Sequence, residues 1–145
     1  CSSDLIPHLC RRYINDKQGD KPQLNSSTKA GEYAKSLFYG HQYEVFYVIC
    51  LDSQNRVNHA ELVHKGTIDS APIYPRLIVE TALRHKAAAM ILAHNHPGGS
   101  LKPSAADLDA TRKICNACEA ISIRVVDHII VAGEEYFSFA DKGLI

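Results

Sequence analysis

The chain has 145 residues, of which 46% are apolar and 22% charged, the size and mixture typical of one globular domain with a core of its own. Sixteen basic residues balance sixteen acidic ones, so charge does not support nucleic acid as a partner. The longest apolar runs fall far short of the roughly 20 residues that span a bilayer, so we expect a soluble protein without a membrane partner.

The N-terminal segment is predicted to lie outside the compact domain. Residues 4–15 have the apolar spacing of a short helix, and the polar stretch that follows reads as a linker. We therefore divide the chain into an N-terminal helix and linker over 1–27 and one domain over 28–145. The opening at Cys1, without Met or a signal peptide, indicates a fragment of a longer protein.

The first half of the domain is predicted to be a helix followed by a strand pair. Apolar residues recur at helical spacing over 28–39, and Gly40 supplies a stop. Residues 45–51 form an apolar run rich in β-favouring residues, and a second run covers 57–64. The residues between them, 52–55, have turn chemistry.

The second half alternates helices and strands. Pro75 suits the first turn of a helix that runs through Leu83, ahead of a buried strand over 88–93. A helix is predicted over 105–120, a strand over 121–131 and a closing strand over 135–139. This order predicts an α/β domain, a layered mixed sheet flanked by helices.

The chemistry-bearing segment begins with His94 and His96. If both lie at a strand end, side-chain alternation puts their imidazoles on one face with Cα atoms roughly 6.5 Å apart, which suits two ligands of one small cation. Pro97, Gly98 and Gly99 then let the backbone leave the strand abruptly and curl back towards the imidazoles.

Ser104 and Asp107 follow with the spacing of a helix cap. The serine would occupy the N-cap, and the aspartate the first turn. A carboxylate there can supply a third metal ligand at about 2.0–2.2 Å and leave a fourth position for water, as in catalytic zinc sites. Each half also has a simpler interpretation: S-x-x-D caps many helices, and paired histidines often only satisfy hydrogen bonds.

The combined pattern H-x-H-P-x6-S-x-x-D resembles the motif of the JAMM (MPN-plus) metalloproteases, and its surroundings are similar to the bacterial RadC family. The likeness extends over about 29–145. It implies the JAB/MPN fold, a three-layer mixed sheet with helices on both faces, related to cytidine deaminases. The segments that carry the resemblance are LD at 51–52, NR at 55–56, KGTID at 65–69, YPR at 74–76, ILAHNHP at 91–97 and DHIIV at 127–131.

The resemblance also implies a mechanism. One Zn²⁺ would be held by His94, His96 and Asp107. JAMM proteins place an acidic base in a Glu-Val-hydrophobic strand start, which Glu44 and the two residues after it resemble. Ser104 would support the oxyanion, and the reaction would be hydrolysis of a peptide or isopeptide bond in an unknown protein or peptide substrate.

Several alternatives stay open. Glu61 is the strongest rival for the base, and Asp52 and Glu80 also compete. Instead of an enzyme, the domain could be a zinc-containing binding module of DNA repair or recombination, in line with the family's traditional DNA-repair label. In a third hypothesis, zinc is structural and a fourth protein ligand closes the site.

We interpret two further motifs as mainly structural. Cys115 and Cys118 form a C-x-x-C, but no second pair accompanies it, and helical spacing favours packing against the sheet. Asp127 and His128 could orient a metal ligand, although such a pair before a strand is more often structural. The chain has five cysteines, Cys1, Cys10, Cys50, Cys115 and Cys118. Their odd number and irregular spacing favour a protein of the reducing cytoplasm.

Overall fold

A computed structural model describes residues 21–68 and 72–145. The helix predicted over 4–15 lies outside this part of the chain. Within the described residues, the elements in chain order are α1 (Ser27–Phe38), β1 (Val45–Leu51), β2 (Val57–Lys65), α2 (Pro75–Arg84), β3 (Ala89–Asn95), α3 (Ala105–Glu119), β4 (Arg124–Ala132) and β5 (Glu135–Ser138).

The five strands form one mixed sheet in the order β2-β1-β3-β4-β5. Only β3 and β4 run parallel, and α3 makes the crossover between them, whereas the other neighbours are antiparallel. The central strands β1 and β3 are almost entirely buried, because helices cover both faces of the sheet. Their continuous apolar sequences follow from this double burial.

The helices make two outer layers around the sheet. On one face, α1 packs through Ala30, Ala34 and Leu37 against the apolar side chains of β1, β3 and β4. On the other face, α2 and α3 pack through residues such as Ile78 and Ile114. The predicted α/β architecture with a mixed sheet between helices is confirmed and agrees with the JAB/MPN fold.

One glycine decides how closely α1 approaches the sheet. A Cβ atom at Gly31 would lie 2.6 Å from the ring of Tyr136 on β5, far inside van der Waals contact. A side chain at this position would require the helix or the ring of Tyr136 to shift, so glycine permits the observed close approach.

Two boundaries of the described elements differ by two or more residues from the sequence-based expectation, and the others agree within one residue. β3 extends to Asn95, so that His94 belongs to the strand itself. β4 begins at Arg124 rather than 121, because the chain first wraps around the end of α3: Ile123 N–H donates to the carbonyl of Cys118, and Ser122 takes a positive φ of 61°. This wrap satisfies helix-end carbonyls that would otherwise lack partners.

The described part of the predicted linker contacts the domain. Leu24 is buried, its N–H donates to the carbonyl of Asn55, and the carbonyl of Pro22 accepts from Val57 N–H. The division at residue 27 stays a prediction. Over 21–68 and 72–145, no helix is long and apolar enough to cross a lipid bilayer.

Candidate metal centre

His94, His96 and Asp107 converge at the carboxyl end of β3. The Nε2 atoms of the two imidazoles lie 2.9 Å apart. Asp107 Oδ2 lies 3.4 Å from Nε2 of His94 and 3.3 Å from Nε2 of His96. His94 and His96 at the strand end and Asp107 at a helix start thus direct three ligand-type atoms at one point.

The strand end and its turn fix the two imidazoles. The ring of Phe46 on β1 stacks on that of His94 with centroids 5.8 Å apart. After His96 the chain turns through Gly99, whose φ of 94° favours glycine. The turn brings the carbonyl of Ser100 within 2.7 Å of His96 Nδ1. A carbonyl only accepts, so Nδ1 carries a proton, and in the neutral ring Nε2 presents its lone pair.

Asp107 is positioned by the helix start that the sequence predicts. Its backbone N–H donates to Ser104 Oγ at 3.0 Å, and Ser104 N–H donates to Asp107 Oδ2 at 2.9 Å. This reciprocal capping box begins α3 and holds the carboxylate, which is 3% exposed, against the histidines.

A chain of hydrogen bonds sets the tautomer of His94. The hydroxyl of Thr111 donates to the carbonyl of Asp107 at 2.7 Å and lies 2.6 Å from Nδ1 of His128. Full burial, reinforced by His94, holds the pKa of His128 well below its ordinary value, so this ring is neutral with one N–H.

The single hydroxyl proton of Thr111 points to the carbonyl, so His128 Nδ1–H must donate to the hydroxyl oxygen. Nε2 of His128 is then an acceptor, and it receives Nδ1–H of His94 at 2.7 Å. The remaining nitrogen of His94, Nε2, therefore presents a lone pair.

The chemistry of this donor set fits a divalent cation. When both rings are neutral, two imidazole lone pairs and a carboxylate oxygen face each other at 2.9–3.4 Å, an arrangement that is repulsive unless a proton or a metal ion lies between them. Ligand atoms about 2.0–2.1 Å from a tetrahedral zinc ion are separated by roughly 3.3 Å, close to these distances. The outer nitrogens are already bonded to protein groups, as is usual for ligating histidines.

The electrostatics of the three groups are coupled. The hydrogen bond to Asp107 raises the pKa of His96 above its ordinary 6.5. Burial alone would raise the pKa of Asp107, but in the metal-free protein the interactions of its carboxylate with a proton shared among His94 and His96, and the N–H of Ser104, hold this pKa well below 3.8. The carboxylate is therefore ionised at any neutral pH, as a metal ligand must be.

Glu44 completes the group. Its carboxylate lies 3.7 Å from His96 Nε2, and donor atoms of Glu44, His94 and His96 all lie within 4.8 Å of one another. Asn95 holds the backbone on both sides of Glu44: its side chain accepts from Val45 N–H at 2.8 Å and donates to the carbonyl of Tyr43 at 3.1 Å. The carbonyl of Glu44 itself accepts from Gly66 N–H.

A sequence model of the RadC-like JAB domain matches residues 24–144. The chain belongs to the RadC family. It is 42% identical over 140 residues to a UPF0758 protein of Vibrio atlanticus (strain LGP32) and 45% identical over 140 residues to one of Pseudoalteromonas translucida (strain TAC 125). Each match covers 97% of this chain and 62% of the relative, so the chain spans less than two thirds of the length of these curated relatives.

The structure separates Glu44 from the rival acids of this RadC domain. Glu61 contacts His59, Arg84 and His85 at the sheet edge. Asp52 accepts backbone N–H groups in the turn between β1 and β2, and Glu80 pairs with Arg84. Of these four candidates for the base, Glu44 is the one that lies near His94 and His96.

The other two motifs fall into structural roles, with one exception. Cys118 is buried in the core under α3, where burial raises the pKa of its thiol to about 11, and Cys115 is half-buried beside it. Asp127 holds the chain after β5 by accepting from Ser138 Oγ and Ala140 N–H. His128 points to the opposite face of β4 and hydrogen-bonds to His94. Asp127 therefore has a structural role, whereas His128 contacts a candidate metal ligand.

Sequence reasoning missed two residues of the site. Thr111 falls within the helix predicted over 105–120 but is not singled out there, although it lies one helical turn after Asp107, on the same face of α3. Asn95 lies between the two histidines, and strand alternation turns it to the opposite face of the sheet, where it is buried and bonds the backbone at the start of β1. Both residues are polar in otherwise apolar positions, which is the signal that could have identified them.

We expect Thr111→Val to weaken zinc binding about 10–100-fold, the cost typical of a lost partner to a ligating histidine. The valine leaves His128 Nδ1–H without an acceptor and thereby releases the tautomer of His94. Metal titration measures the affinity, and ¹⁵N chemical shifts of the imidazoles report the tautomers.

Thr81→Val is the matched control for the affinity of the centre at His94, because Thr81 is equally buried and also donates to a carbonyl four residues earlier, that of Leu77. Its other polar neighbour is Glu61, at 3.4 Å, which lies outside this centre. Both variants lose one such hydrogen bond, so a similar drop in thermal stability is expected. Unchanged affinity and tautomers in Thr111→Val would refute the orienting role.

Proposed function

We propose that this domain is a zinc-dependent hydrolase of the JAMM type that cleaves peptide or isopeptide bonds, with one Zn²⁺ held by His94, His96 and Asp107. The proposal rests on one observation: the hydrogen bonds to Ser100 and His128 turn the Nδ1 protons away and leave both Nε2 lone pairs facing a buried carboxylate.

The exposure of the four groups indicates how a substrate approaches. The side chains of His94 and Asp107 are 1% and 4% exposed, whereas those of His96 and Glu44 are 15% and 14% exposed. Solvent and substrate therefore reach the centre from the side of His96 and Glu44. A base on the open side lies where a water molecule and a scissile carbonyl would meet.

Bound zinc would act as a Lewis acid and lower the pKa of a coordinated water to about 7. The carboxylate of Glu44 accepts the proton of the attacking water. As the water oxygen bonds to the carbonyl carbon and the C–N bond breaks, Glu44 returns that proton to the leaving nitrogen. One residue serves as base and then as acid because it faces the open side throughout.

Ser104 is suited to the oxyanion. Its Oγ accepts the N–H of Asp107, so its own O–H hydrogen remains to donate to an oxygen that develops negative charge. The same capping box places this hydroxyl beside the carboxylate of Asp107. The helix start thereby holds one metal ligand and one hydrogen-bond donor in fixed relation.

A cleavage assay tests the proposal. The zinc-loaded domain is incubated with a panel of peptides and isopeptide-linked conjugates, with His96→Ala as the control. We expect cleavage that a chelator stops, that added Zn²⁺ restores and that His96→Ala lacks. Zinc binding with no cleavage of the whole panel, together with DNA affinity at physiological salt, would favour the binding module instead.

We also propose a reducing compartment such as the cytoplasm as the place of action. Within the described residues, Cys50, Cys115 and Cys118 are free thiols. Such thiols are typical of proteins from reducing environments.

A further inference from the structure

A second cluster of metal-ligand type lies at the opposite edge of the sheet from β5. It is formed by His59 and Glu61 on the edge strand β2 and by His85, directly after α2. His59 and Glu61 are two residues apart and therefore point to the same face of the sheet, the one that α2 covers. The cluster thus connects the edge strand to the end of a helix.

Both imidazoles approach the same carboxylate oxygen. Oε1 of Glu61 lies 3.3 Å from Nε2 of His59 and 3.2 Å from Nε2 of His85. The two rings are stacked with centroids 3.8 Å apart and an interplanar angle of 19°. Stacking holds the two Nε2 atoms side by side, and all three donor atoms lie within 4.8 Å of one another.

The two nitrogen–oxygen separations are those of ligands around one small cation. A tetrahedral ion with ligands at about 2.0–2.1 Å separates them by roughly 3.3 Å. A divalent ion would replace the two imidazole protons that otherwise bridge to the carboxylate. The set of two histidines and one carboxylate also leaves a position for water, and imidazole ligands select zinc and its first-row neighbours over calcium or magnesium.

The carboxylate is held in place from its other side. Arg84 Nη1 lies 3.2 Å from Oε2 of Glu61, so Oε2 is tied to the guanidinium while Oε1 faces the histidines. Burial alone would raise the pKa of Glu61, but the hydrogen bond to His85 and the charge of Arg84 bring it below its ordinary value. Glu80 pairs with Arg84 and offsets part of its charge.

The register of the sheet separates this cluster from His94. Glu61 pairs with Val48, Val48 pairs with Leu92, and His94 lies two residues further along β3. Two interstrand spacings and two residues along a strand correspond to roughly 12 Å. The two groups therefore cannot share one ion.

We propose that His59, Glu61 and His85 form a second, independent binding site for a divalent transition-metal ion of the zinc class. The bound ion clamps the edge strand β2 to the carboxyl end of α2. The three side chains are 24–41% exposed, so the ion enters directly from solvent. This site does not depend on hydrolysis at the first centre.

Equilibrium dialysis against Zn²⁺ with elemental analysis tests the proposal on the same chain. We expect about two equivalents in the unchanged protein and about one in each of His59→Gln, Glu61→Gln and His85→Gln. Co²⁺ in place of Zn²⁺ gives a visible absorption that reports nitrogen and oxygen ligands, and part of it is lost in these variants. His64→Gln, on the same strand but outside the cluster, is the matched control and keeps both equivalents.

This experiment tests the two metal sites independently of each other. Asp107→Asn removes the first equivalent, and any one of the three cluster variants that folds, as judged by its metal-free melting curve, suffices to test the second. Full Zn²⁺ content and unchanged affinity in a folded cluster variant would overturn the second site. One equivalent that Asp107→Asn abolishes and Glu61→Gln leaves intact would do the same.

Discussion

Glu44→Gln is expected to keep its zinc and lose turnover by about 10²–10⁴-fold, the contribution typical of a positioned general base. The amide has the size of the carboxylate but cannot accept the proton of the attacking water. Zinc content stays unchanged because His94, His96 and Asp107 are untouched. Steady-state kinetics against the best substrate of the panel, together with elemental analysis, measures both quantities.

Folding should survive this change. The segment around Glu44 is held by its backbone: Asn95 bonds the groups before and after it, and Gly66 N–H bonds its carbonyl. The side chain is therefore replaceable without loss of the strand start. We expect a melting temperature close to that of the unchanged protein.

Glu61→Gln is the matched control for catalysis. It makes the same chemical change in the acid that competes with Glu44 at the level of sequence, and its side chain contacts His59, Arg84 and His85. We expect turnover to persist, because the second zinc equivalent that this variant is expected to lose would lie roughly 12 Å from His94. A Glu61→Gln variant without activity, beside an active Glu44→Gln, would reverse the assignment of the base.

Local signals predict most of this fold. The apolar run 45–51 and the periodic stretch 105–120 match β1 and α3 closely, because a strand buried on both faces and a capped amphipathic helix leave unambiguous patterns. The start of β4 does not match its prediction. Ile121 and Ile123 favour β-structure, yet residues 121–123 wrap around the end of α3 instead of joining the strand. Tertiary hydrogen bonds override propensity there.

The residues of the candidate site also differ in how far local sequence patterns predict them. His94, His96, Ser104 and Asp107 lie within 14 positions of each other, so motif spacing suffices to group them. The choice between Glu44 and Glu61 depends on the register of β1 and β2, which no local pattern contains. The bond from His94 to His128 spans 34 positions and exists only because β3 and β4 run parallel.

Asp107→Asn is expected to lower the zinc affinity of the first centre by more than about 100-fold, beyond the usual cost of a lost outer partner. The amide can still accept from Ser104 N–H, so the helix cap survives, but the negative charge is gone. At saturating zinc, a 100-fold loss corresponds to about 2.7 kcal/mol of stability. Metal titration and thermal melting measure the two effects.

Asp109→Asn is the matched control. Asp109 lies two residues on in α3, has a side chain that is 47% exposed, and pairs with Arg112 and Lys113. The same loss of charge there leaves zinc affinity unchanged, because this carboxylate faces solvent. Equal affinities for the two variants would remove Asp107 from the ligand set.

The pH dependence of Asp107→Asn distinguishes a metal ligand from a buried ion pair. In the metal-free protein, the pKa of Asp107 is held below 3.8 and that of His96 is raised above 6.5. The ion pair therefore stabilises the fold fully only above the first value and below the second, and its contribution is lost as pH rises through the raised pKa of His96. With chelator present, the variant is most destabilised between about pH 4 and 6.5.

Zinc reverses this trend. Metal binding needs His96 without its proton, so the advantage of the unchanged protein over Asp107→Asn grows as pH rises through the raised pKa of His96. Melting curves at pH 5 and pH 8, each with chelator or with zinc, separate the two roles. A difference that shrinks with pH in both series would mean that Asp107 serves the fold only as the partner of a protonated histidine.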